Sequence, residues 1–525
     1  MSCLLEKFRF ALPYFLIHTK KILLIFVFAL ACEICGAKPK IISSEPCEYR
    51  DVSCDFFGYQ KWFKDEISCS QAEEDLDYLV YLLKTAYAGY DDASKRGLEI
   101  DQISELFKNF NKDEDRIKVS ALSRFLCDFL NPYIQDCHFS IESKDFSKRL
   151  VSQYKVLYSN IYVKKTDDIF VVEKSDNQDF QVGKSLEIEK ENLFLYPSEG
   201  ENVYRIGVYA PVYKNENPVA VTCFTSKEKK LLLCNVSNNY ASSNDMSAYK
   251  EIETADSVYI YIPTFMNLPN NDNRKSLLDE NFEKLYSVSE RYKDKKNVIL
   301  DLRTNGGGNL VNATKFLANL YFLEKDCSEK NTWKNIKKQA KLIGDDGKRM
   351  DLISPSVVQA ENWLEKNLFS QDKFFIKEFK KIRKILNNRN LKITYYNHKK
   401  TKEKSGNPNF KGKLIILSGK NSASASEGAI LDARNIFSGT SQFFQIGENT
   451  AGCYAFGNVW CYQLPHSGIA LHLSSFMMGD SEKCPEGLGI MPDYWATDDD
   501  IVQALVNVTG DENLTEKLKD INNNL

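Results

Sequence analysis

The chain has 525 residues, of which 43% are hydrophobic, so it is long and apolar enough to form roughly two to four domains. Its formal net charge of −3 lacks the basic excess of nucleic-acid-binding proteins, and the sequence predicts no nucleic-acid partner. Within 310–410 lysine and arginine clearly outnumber acidic residues, a pattern typical of amphipathic helices with solvated lysines.

The N-terminus has the pattern of an export signal. Lys20 and Lys21 precede the apolar run 22–31, "ILLIFVFALA", which is short for a membrane-spanning helix. We therefore predict a signal peptide over 1–37 and an extracytoplasmic location, periplasmic or secreted. Cys32 is an alternative site of lipidation. An uncleaved or lipidated segment would be the only membrane contact that we expect.

Eleven of the fourteen cysteines lie after residue 37, so an oxidising compartment would favour disulfides. Cys453 and Cys461 are spaced like partners in a β-hairpin, whereas Cys47, Cys54 and Cys69 lie in a stretch with many loop-forming residues. No cysteine pair or cysteine–histidine cluster has the spacing of a zinc site. The sequence predicts neither a metal nor another cofactor.

Residues 38–148 contain helical patterns that favour a small helical bundle behind a cysteine-containing segment. In "DLDYLVYLLKTAY" one stripe contains Leu76, Leu79, Val80, Leu83 and Tyr87. The stretch "ISELFKNF" repeats this spacing with Ile103, Leu106, Phe107 and Phe110.

Residues 149–252 are different, because they consist of short β-rich runs separated by Asn, Asp, Gly and Lys. From 253 to 525, strands alternate with helices, which predicts an α/β core with a parallel or mixed sheet and a basic helical insertion at 310–410. Its central predicted strands are "SVYIYIPTF", "NVILDLR" and "KLIILSG".

Two loops of this core, 304–309 and 420–424, each follow a predicted strand. In open α/β sheets, ligands bind at the carboxyl ends of the strands, so we expect the two loops to be neighbours there. The first loop, "TNGGGN", contains three consecutive glycines, which cost conformational entropy and indicate a close backbone approach. It matches neither a dinucleotide-binding nor a P-loop fingerprint.

The second loop leads into "SASE", which has two interpretations. It matches a capping box in which Ser424 and Glu427 satisfy each other's backbone amides. Ser424 also precedes a helix, where free N–H groups and the helix dipole stabilise a developing oxyanion. The residues "SASE" alone favour the capping box. Their position at the end of a predicted strand makes a nucleophilic Ser424 more plausible.

Together, "NVILDLRTNGGGN", "LIILSGKNSASASEGA" and "EGLGIMPD" resemble the C-terminal processing, or tail-specific, serine proteases and their tricorn-core relatives. The resemblance implies a ClpP/crotonase-like α/β protease core, a helical N-terminal region and a PDZ-like domain at 149–252. It also implies a serine-type peptidase that hydrolyses polypeptides through an acyl-enzyme. Ser424 would be its nucleophile, and the backbone N–H groups of Gly307 and Ala425 would be its oxyanion donors.

One branch of this family uses a lysine base, but Cys453 and Asn435 stand where that branch has its lysine and acidic residue. The other branch resembles a His–Ser–Glu arrangement, with its histidine in a "D-x-H" phrase. The corresponding phrase "QDCHFSI" nominates His138 as the base, and "EGLGIMPD" nominates Glu486 as the acidic residue. Glu482 is the reserve candidate for that third position.

A different class of function also fits the resemblance, namely a non-catalytic protein whose cleft binds an apolar ligand or peptide. The complete Ser–Gly–His set favours the enzyme. A lipase or esterase of the α/β-hydrolase type is excluded because G-x-S-x-G is missing. His398, His466 and His472 have the patterns of structural or solvent-exposed histidines. The sequence leaves the substrate, the cleavage preference and the oligomeric state open.

Overall fold

The computed structural model describes residues 62–519, except for 112–114, 168, 199–201, 212–218, 226–227, 235–244, 246, 269–272, 323–348, 351–394, 397–407 and 479–481. The signal segment predicted over 1–37, the cysteines at 47 and 54, His398 and most of the basic insertion lie outside the described residues. In the described part of the chain, no helix combines the length and apolar character that a membrane crossing requires.

The first described region is helical. The helix α1 begins after Ser68, whose Oγ accepts a hydrogen bond from Gln71 N (3.2 Å). In turn, Ser68 N donates to Gln71 Oε1 (3.0 Å). The elements are β1 Glu66–Ser68, α1 Cys69–Ala86, α2 Tyr90–Lys95, α3 Ile103–Phe110, β2 Arg116–Lys118 and α4 Val119–Leu130, with a short 3-10 turn at Ile100–Gln102.

The predicted stripe of α1 is confirmed for Leu76, Leu79, Leu83 and Tyr87, which are all buried, and Val80 packs at its margin. The prediction for α3 is wrong at two positions. Ile103 and Phe107 are buried one turn apart, but Leu106 and Phe110 are 41% and 54% exposed. The buried face of this short helix is thus only two residues wide.

These helices do not form a core by themselves. They pack against a sheet in which strand β20 pairs antiparallel with β3 and aligns Leu471 with Ile141. Tyr462 and Leu471, from late in the chain, share the helices' apolar core. The strands of this sheet are β3 Ser140–Ser143, β4 Phe146–Arg149, β15 Arg349–Met350, β16 Tyr395–Tyr396, β19 Phe456–Gln463 and β20 Ala470–Met478.

A second sheet has seven antiparallel strands in the order β11-β10-β7-β6-β5-β9-β8. All seven lie inside the predicted β-rich region 149–252, which also contains a 3-10 turn at Lys190–Asn192 and the start of the strand Lys250–Glu253. Whether this region is PDZ-like stays a prediction. The strands are β5 Tyr154–Thr166, β6 Ile169–Lys174, β7 Ser185–Ile188, β8 Leu193–Tyr196, β9 Val203–Pro211, β10 Val219–Thr225 and β11 Glu228–Cys234.

The α/β core has a six-stranded sheet in the order β12-β13-β14-β17-β18-β21, parallel except for β12. Its strands are β12 Lys250–Glu253, β13 Ser257–Tyr261, β14 Asn297–Asp301, β17 Lys413–Ser418, β18 Phe443–Gly447 and β21 Tyr494–Trp495. Its helices are α5 Lys275–Tyr286, α6 Val288–Arg291, α7 Leu310–Phe322, α8 Ala425–Ile436, α9 Ile501–Thr509 and α10 Asn513–Lys517. The predicted mixed α/β class is confirmed.

Helices cover both faces of this sheet. Alternate side chains of β14 and β17 point to opposite faces, so Leu300 and Ile416 pack with α5, α7 and α8 while Ile299 and Ile415 pack with α9 and α10. Burial on both faces explains the continuous apolar runs in the sequence. Because helices cover both faces, the loops that follow β14, β17 and β18 meet at the carboxyl ends of these strands.

Candidate active site

The two loops predicted to be neighbours are joined by hydrogen bonds. Ala423 N donates to Asn305 O (3.2 Å), and Leu302 N donates to Leu417 O (3.0 Å). The loop after β18 joins them, because Ala451 N donates to Ser422 O (2.9 Å). This part of the sequence prediction is confirmed, and it places Ser424 between three strand ends.

Ser424 has an unusual backbone conformation, with φ 55° and ψ −112°. Among the described non-glycine residues, only Asp167 shares a positive φ. Such a conformation costs on the order of 1–3 kcal/mol, and observed strain of this kind clusters at functional sites. Ser424 sits at the turn from β17 into α8 and is half-buried.

The other two serines of the motif have structural bonds. Ser422 Oγ donates to Leu302 O (2.7 Å), and Ser426 Oγ lies 2.8 Å from both the carbonyl and the side-chain oxygen of Asn305. Both serines are fully buried. They tie the serine loop to the glycine loop, and Ser424 is the member of the three that is left partly exposed.

The glycine triplet lies directly against Ser424. Gly307 has φ +100°, and a Cβ there would be 2.6 Å from Ala423 O, 2.9 Å from Ala425 N and 2.9 Å from Ser424 Cβ. No side chain fits in that space, which explains the glycine. Ala425 N is the first amide of α8 and has no carbonyl one turn earlier inside the helix. The two predicted oxyanion residues are therefore adjacent.

The N–H of Gly307 has its own partner, because it donates to Asn305 Oδ1 (2.9 Å). That oxygen also lies 2.8 Å from Ser426 Oγ. Asn305 is fully buried and its Nδ2 donates to Ile262 O (3.0 Å), so its side chain is fixed. To act as an oxyanion donor, Gly307 N–H has to share or release this bond.

Glu427 does more than cap the helix. Its side chain is fully buried and accepts from Ser424 N (2.8 Å), Gly452 N (2.7 Å) and Cys453 N (2.9 Å). Thr450 Oγ1 adds a bond of 2.5 Å. The carboxylate thus joins the amide of Ser424 to the loop after β18. The sequence identified this residue only through the capping box.

His138 lies in the turn between α4 and β3. Its backbone N–H donates to Asp136 Oδ1 (2.8 Å), and its Nδ1 lies 3.7 Å from the same oxygen. Burial acts to lower the pKa of His138, but the Asp136 carboxylate, with contributions from Cys453 and Glu486, raises the pKa to about 9. The side chain is 17% exposed, and Nδ1 has no hydrogen-bond partner.

Glu486 lies beside this turn. Its Oε2 accepts from Cys137 N (2.8 Å), and its Oε1 accepts from Ala455 N (2.8 Å). Burial and the charge of Asp136 raise the pKa of Glu486 to about 7, against the lowering effect of the two amides and of His138. The reserve candidate Glu482 is instead exposed to solvent.

A small buried cluster connects the two halves of the site. Cys137, Ala451 and Cys453 pack together, and Ala423 borders them. Cys137 is adjacent to His138 in sequence, and Ala423 is adjacent to Ser424. The cluster therefore brings the predicted base and the predicted nucleophile to one region, with Glu486 bonded to the amide of Cys137.

The cluster also decides one cysteine prediction. Cys453 is a free thiol buried beside Cys137, so the expected disulfide with Cys461 is not formed in this structure. Cys461 lies in β19, opposite His472 of β20. The sequence spacing matched a hairpin, but the strand begins only at Phe456 and leaves Cys453 in the preceding loop.

Two other histidines have the structural environments that the sequence suggested. His472 Nδ1 bonds Ser140 Oγ (2.8 Å) between neighbouring strands. His466 Nε2 bonds Glu74 Oε2 (2.7 Å) and is buried. Neither lies among the contacts of Ser424 or Glu486 given above.

Comparison with known proteins agrees with this geometry. Residues 256–496 match the model of Peptidase family S41. This range includes Gly307, Ser424 and Glu486, whereas His138 precedes it. The match supports the assignment of the chain as a serine-type peptidase, a hydrolase of peptide bonds.

Similar solved structures include mature CPAF in complex with lactacystin, at 14% identity over 87% of this chain and 99% of that chain, with a TM-score of 0.41. A putative peptidase from Parabacteroides merdae ATCC 43184 has 15% identity over 83% and 93%, with a TM-score of 0.36. The photosystem II D1 C-terminal processing protease has 13% identity over 85% and 98%, with a TM-score of 0.32. Curated proteins give no match. The assignment therefore rests on the family match.

Proposed function

We propose that the protein is an extracytoplasmic endopeptidase of the His–Ser–Glu type. Ser424 is its nucleophile, His138 its base and Glu486 its acidic residue. The observation that carries this proposal is the strained conformation of Ser424 at the end of β17, between two serines whose hydroxyls are already bonded. The substrate is a polypeptide.

In the reaction, His138 takes the hydroxyl proton of Ser424 as Oγ attacks the carbonyl carbon of the scissile bond. The tetrahedral oxyanion collapses, the C–N bond breaks, and His138 gives its proton to the leaving amine. An acyl-enzyme on Ser424 remains. Water then attacks the ester carbon while His138 accepts a proton from it, and the C–O bond to Ser424 breaks as His138 returns that proton to Oγ, which releases the new carboxyl terminus.

The oxyanion is held by the backbone N–H groups of Gly307 and Ala425. Their adjacency to Ser424 supports these roles. The bond from Gly307 N to Asn305 Oδ1 means that this donor is positioned but occupied before the substrate arrives. Glu486 supplies negative charge near His138 and so favours the imidazolium that forms during attack.

The proposal keeps the domain scheme derived from the sequence. A signal peptide at 1–37 directs export, the segment 38–148 contributes His138, the region 149–252 is a degenerate PDZ-like domain, and 253–525 is the protease core with its insertion at 310–410. The signal peptide is supported by the pattern of the N-terminal sequence alone, and the PDZ-like assignment by the sequence resemblance alone.

A fluorophosphonate probe, which reacts with activated serines, tests the proposal. We expect labelling of the wild-type protein at Ser424 and none of Ser424→Ala. His138→Ala is expected to lower the labelling rate by about 10³-fold or more, because the hydroxyl then has no base.

Ser422→Ala is the matched control, since it removes a hydroxyl two positions away that bonds a backbone carbonyl. It should lose stability of about 1–3 kcal/mol and keep its labelling. Labelling that persists in Ser424→Ala would remove the nucleophile from the proposal, and an unchanged rate in His138→Ala would remove the base.

A further inference from the structure

Three buried polar atoms, on residues that influence one another electrostatically, have no hydrogen-bond partners: Tyr87 Oη, Asp136 Oδ2 and His138 Nδ1. A buried polar atom left unpaired costs about 1–3 kcal/mol, so a group of them calls for a functional explanation. Asp136 connects the group, because its Oδ1 lies 3.7 Å from His138 Nδ1 and its charge raises the pKa of Tyr87 in addition to the effect of burial.

The separation of 3.7 Å between Asp136 Oδ1 and His138 Nδ1 exceeds a hydrogen bond by about 0.5 Å. A small rotation of the imidazole closes it. The carboxylate itself is held in place, because its Oδ1 accepts the backbone N–H of His138 (2.8 Å) and its side chain is fully buried. A fixed acceptor therefore faces a ring nitrogen that needs one.

Glu486 has a different arrangement. Each of its oxygens already accepts a backbone amide, from Cys137 and from Ala455, both at 2.8 Å. These bonds join the turn that contains His138 to the start of β19. Glu486 thus positions the backbone of the turn, and a different residue has to accept a hydrogen bond from the imidazole of His138.

We infer that Asp136 is the positioning residue of the site, whose carboxylate accepts the Nδ1 proton of His138 and thereby leaves Nε2 free to take the proton of Ser424. The hydroxyl of Tyr87, which is influenced by the charge of Asp136, is the donor that we assign to Asp136 Oδ2 once these two unpaired atoms approach each other. This inference rests on the proposed function, in which His138 is the base. It adds to that function the residue that fixes the tautomer of the imidazole.

Several charged groups around His138 affect its pKa. Asp136, Glu486 and Cys453 all act to raise its pKa, and Cys137 is its sequence neighbour. Burial raises the pKa of Tyr87. The charges of Asp136, Glu486 and Asp92 raise it further, and Arg96 lowers it. A variant at Asp136 removes the largest of the influences that favour the imidazolium.

The test compares Asp136→Asn with the wild-type protein. The asparagine can keep Oδ1 for the backbone N–H of His138, but it lacks the negative charge that favours the imidazolium, and its NH2 group replaces Oδ2. We expect the rate of fluorophosphonate labelling, compared above pH 9 where the ring is neutral in both proteins, to fall by about 10²–10⁴-fold, and the pH midpoint of the remaining rate to move down towards 6.5. Asp136→Glu should recover part of the rate.

Tyr87→Phe gives a smaller, graded readout, a loss of about three- to tenfold with the same direction of pH shift. Tyr158→Phe is its matched control, because Tyr158 also has a buried hydroxyl without a partner but packs with Phe194 and Arg205. We expect Tyr158→Phe to label at the wild-type rate.

Nitrogen NMR of histidine-labelled protein provides an independent readout, with the His138 signals identified by their loss in His138→Ala. The neutral ring should carry its proton on Nδ1, and a proton on Nε2 would overturn the inference even if Asp136→Asn fails to fold. If Asp136→Asn labels with the wild-type rate and midpoint while His138→Ala is inactive, the inference is wrong and the proposed function stands. If His138→Ala labels normally, the proposed function itself is wrong.

Discussion

The nucleophile side and the base side of the candidate site differ in how completely their polar groups are paired. Around Ser424, the buried side chains of Ser422, Ser426 and Glu427 all have hydrogen-bond partners. Around His138, the ring Nδ1 and the second oxygen of Asp136 have none. One half of the site is therefore fixed by its own loops, and the other half is still able to rearrange.

This difference fits the different requirements of a nucleophile and a base. A strained serine needs the hydrogen bonds of its surroundings to keep the loop in its conformation. A base has to turn from the nucleophile to the leaving group during the reaction, and a loosely paired ring turns more easily. The predictions below test whether the two sides depend on their surroundings to different degrees.

The largest effect is expected from Glu427→Ala. It leaves Ser424 N, Gly452 N, Cys453 N and Thr450 Oγ1 without their acceptor in a dry interior. We expect a loss of unfolding free energy on the order of 3–5 kcal/mol, measured by urea denaturation. Glu427→Gln keeps the shape and one acceptor oxygen and should lose about half as much. Equal stability of Glu427→Ala and the wild type would show that the network does not hold the loop.

Next is Gly307→Ala, which adds a Cβ at a positive φ and within 2.6–2.9 Å of the serine loop. Because the loop has to shift, we expect labelling of Ser424 to fall by about 10²-fold or more. Gly306→Ala is the matched control, since a Cβ there meets nothing within 4 Å. A similar loss in both variants would mean that flexibility of the triplet, rather than the contact with Ser424, matters.

The base side should respond to pH. With the pKa of His138 at about 9, the neutral ring is scarce at neutral pH, so labelling should rise about tenfold per pH unit until pH 9. The folded protein binds this proton more tightly than the unfolded chain, whose histidine titrates near 6.5. Its contribution to stability is therefore complete below about pH 6.5 and is lost as the pH rises through 9.

A labelling rate that is level between pH 7 and 9 would contradict this assignment of the base. The pKa of Glu486, at about 7, adds a second step at the acidic end of the profile. That step should vanish in Glu486→Gln, which separates the two titrations.

The smallest effects distinguish the two candidate glutamates. Glu486→Gln replaces one of two acceptor oxygens with an amide and should slow labelling about tenfold, equivalent to about 1.4 kcal/mol. Glu482→Gln changes an exposed side chain and should stay within about twofold. The reverse order of these two effects would exchange their roles.

The sequence was sufficient for the nucleophile side because its elements are local and regular. Strands β14 and β17 are continuous apolar runs, each followed by a loop with an unusual composition, and parallel strands place their carboxyl ends together. From this we predicted the contact between the glycine and serine loops, which the bonds of Ser422 and Ser426 confirm.

The base side was less accessible, because its contacts join residues more than 300 positions apart. A motif can nominate His138 and Glu486, but it does not give the register in which β3 pairs with β20. The same limit explains why residues 38–148 were predicted as a separate bundle, although their core includes Tyr462 and Leu471. We did not predict the free thiol of Cys453, because the sequence does not fix the first residue of β19 to within a few positions.

The pairing of β3 with β20 has a consequence for synthesis in the cell. A chain that has emerged only as far as Ser424 still lacks the strand that positions the turn around His138. If His138 is the base, as we propose, a chain at this stage contains Ser424 before the imidazole is oriented, and we expect it to be inactive as a peptidase.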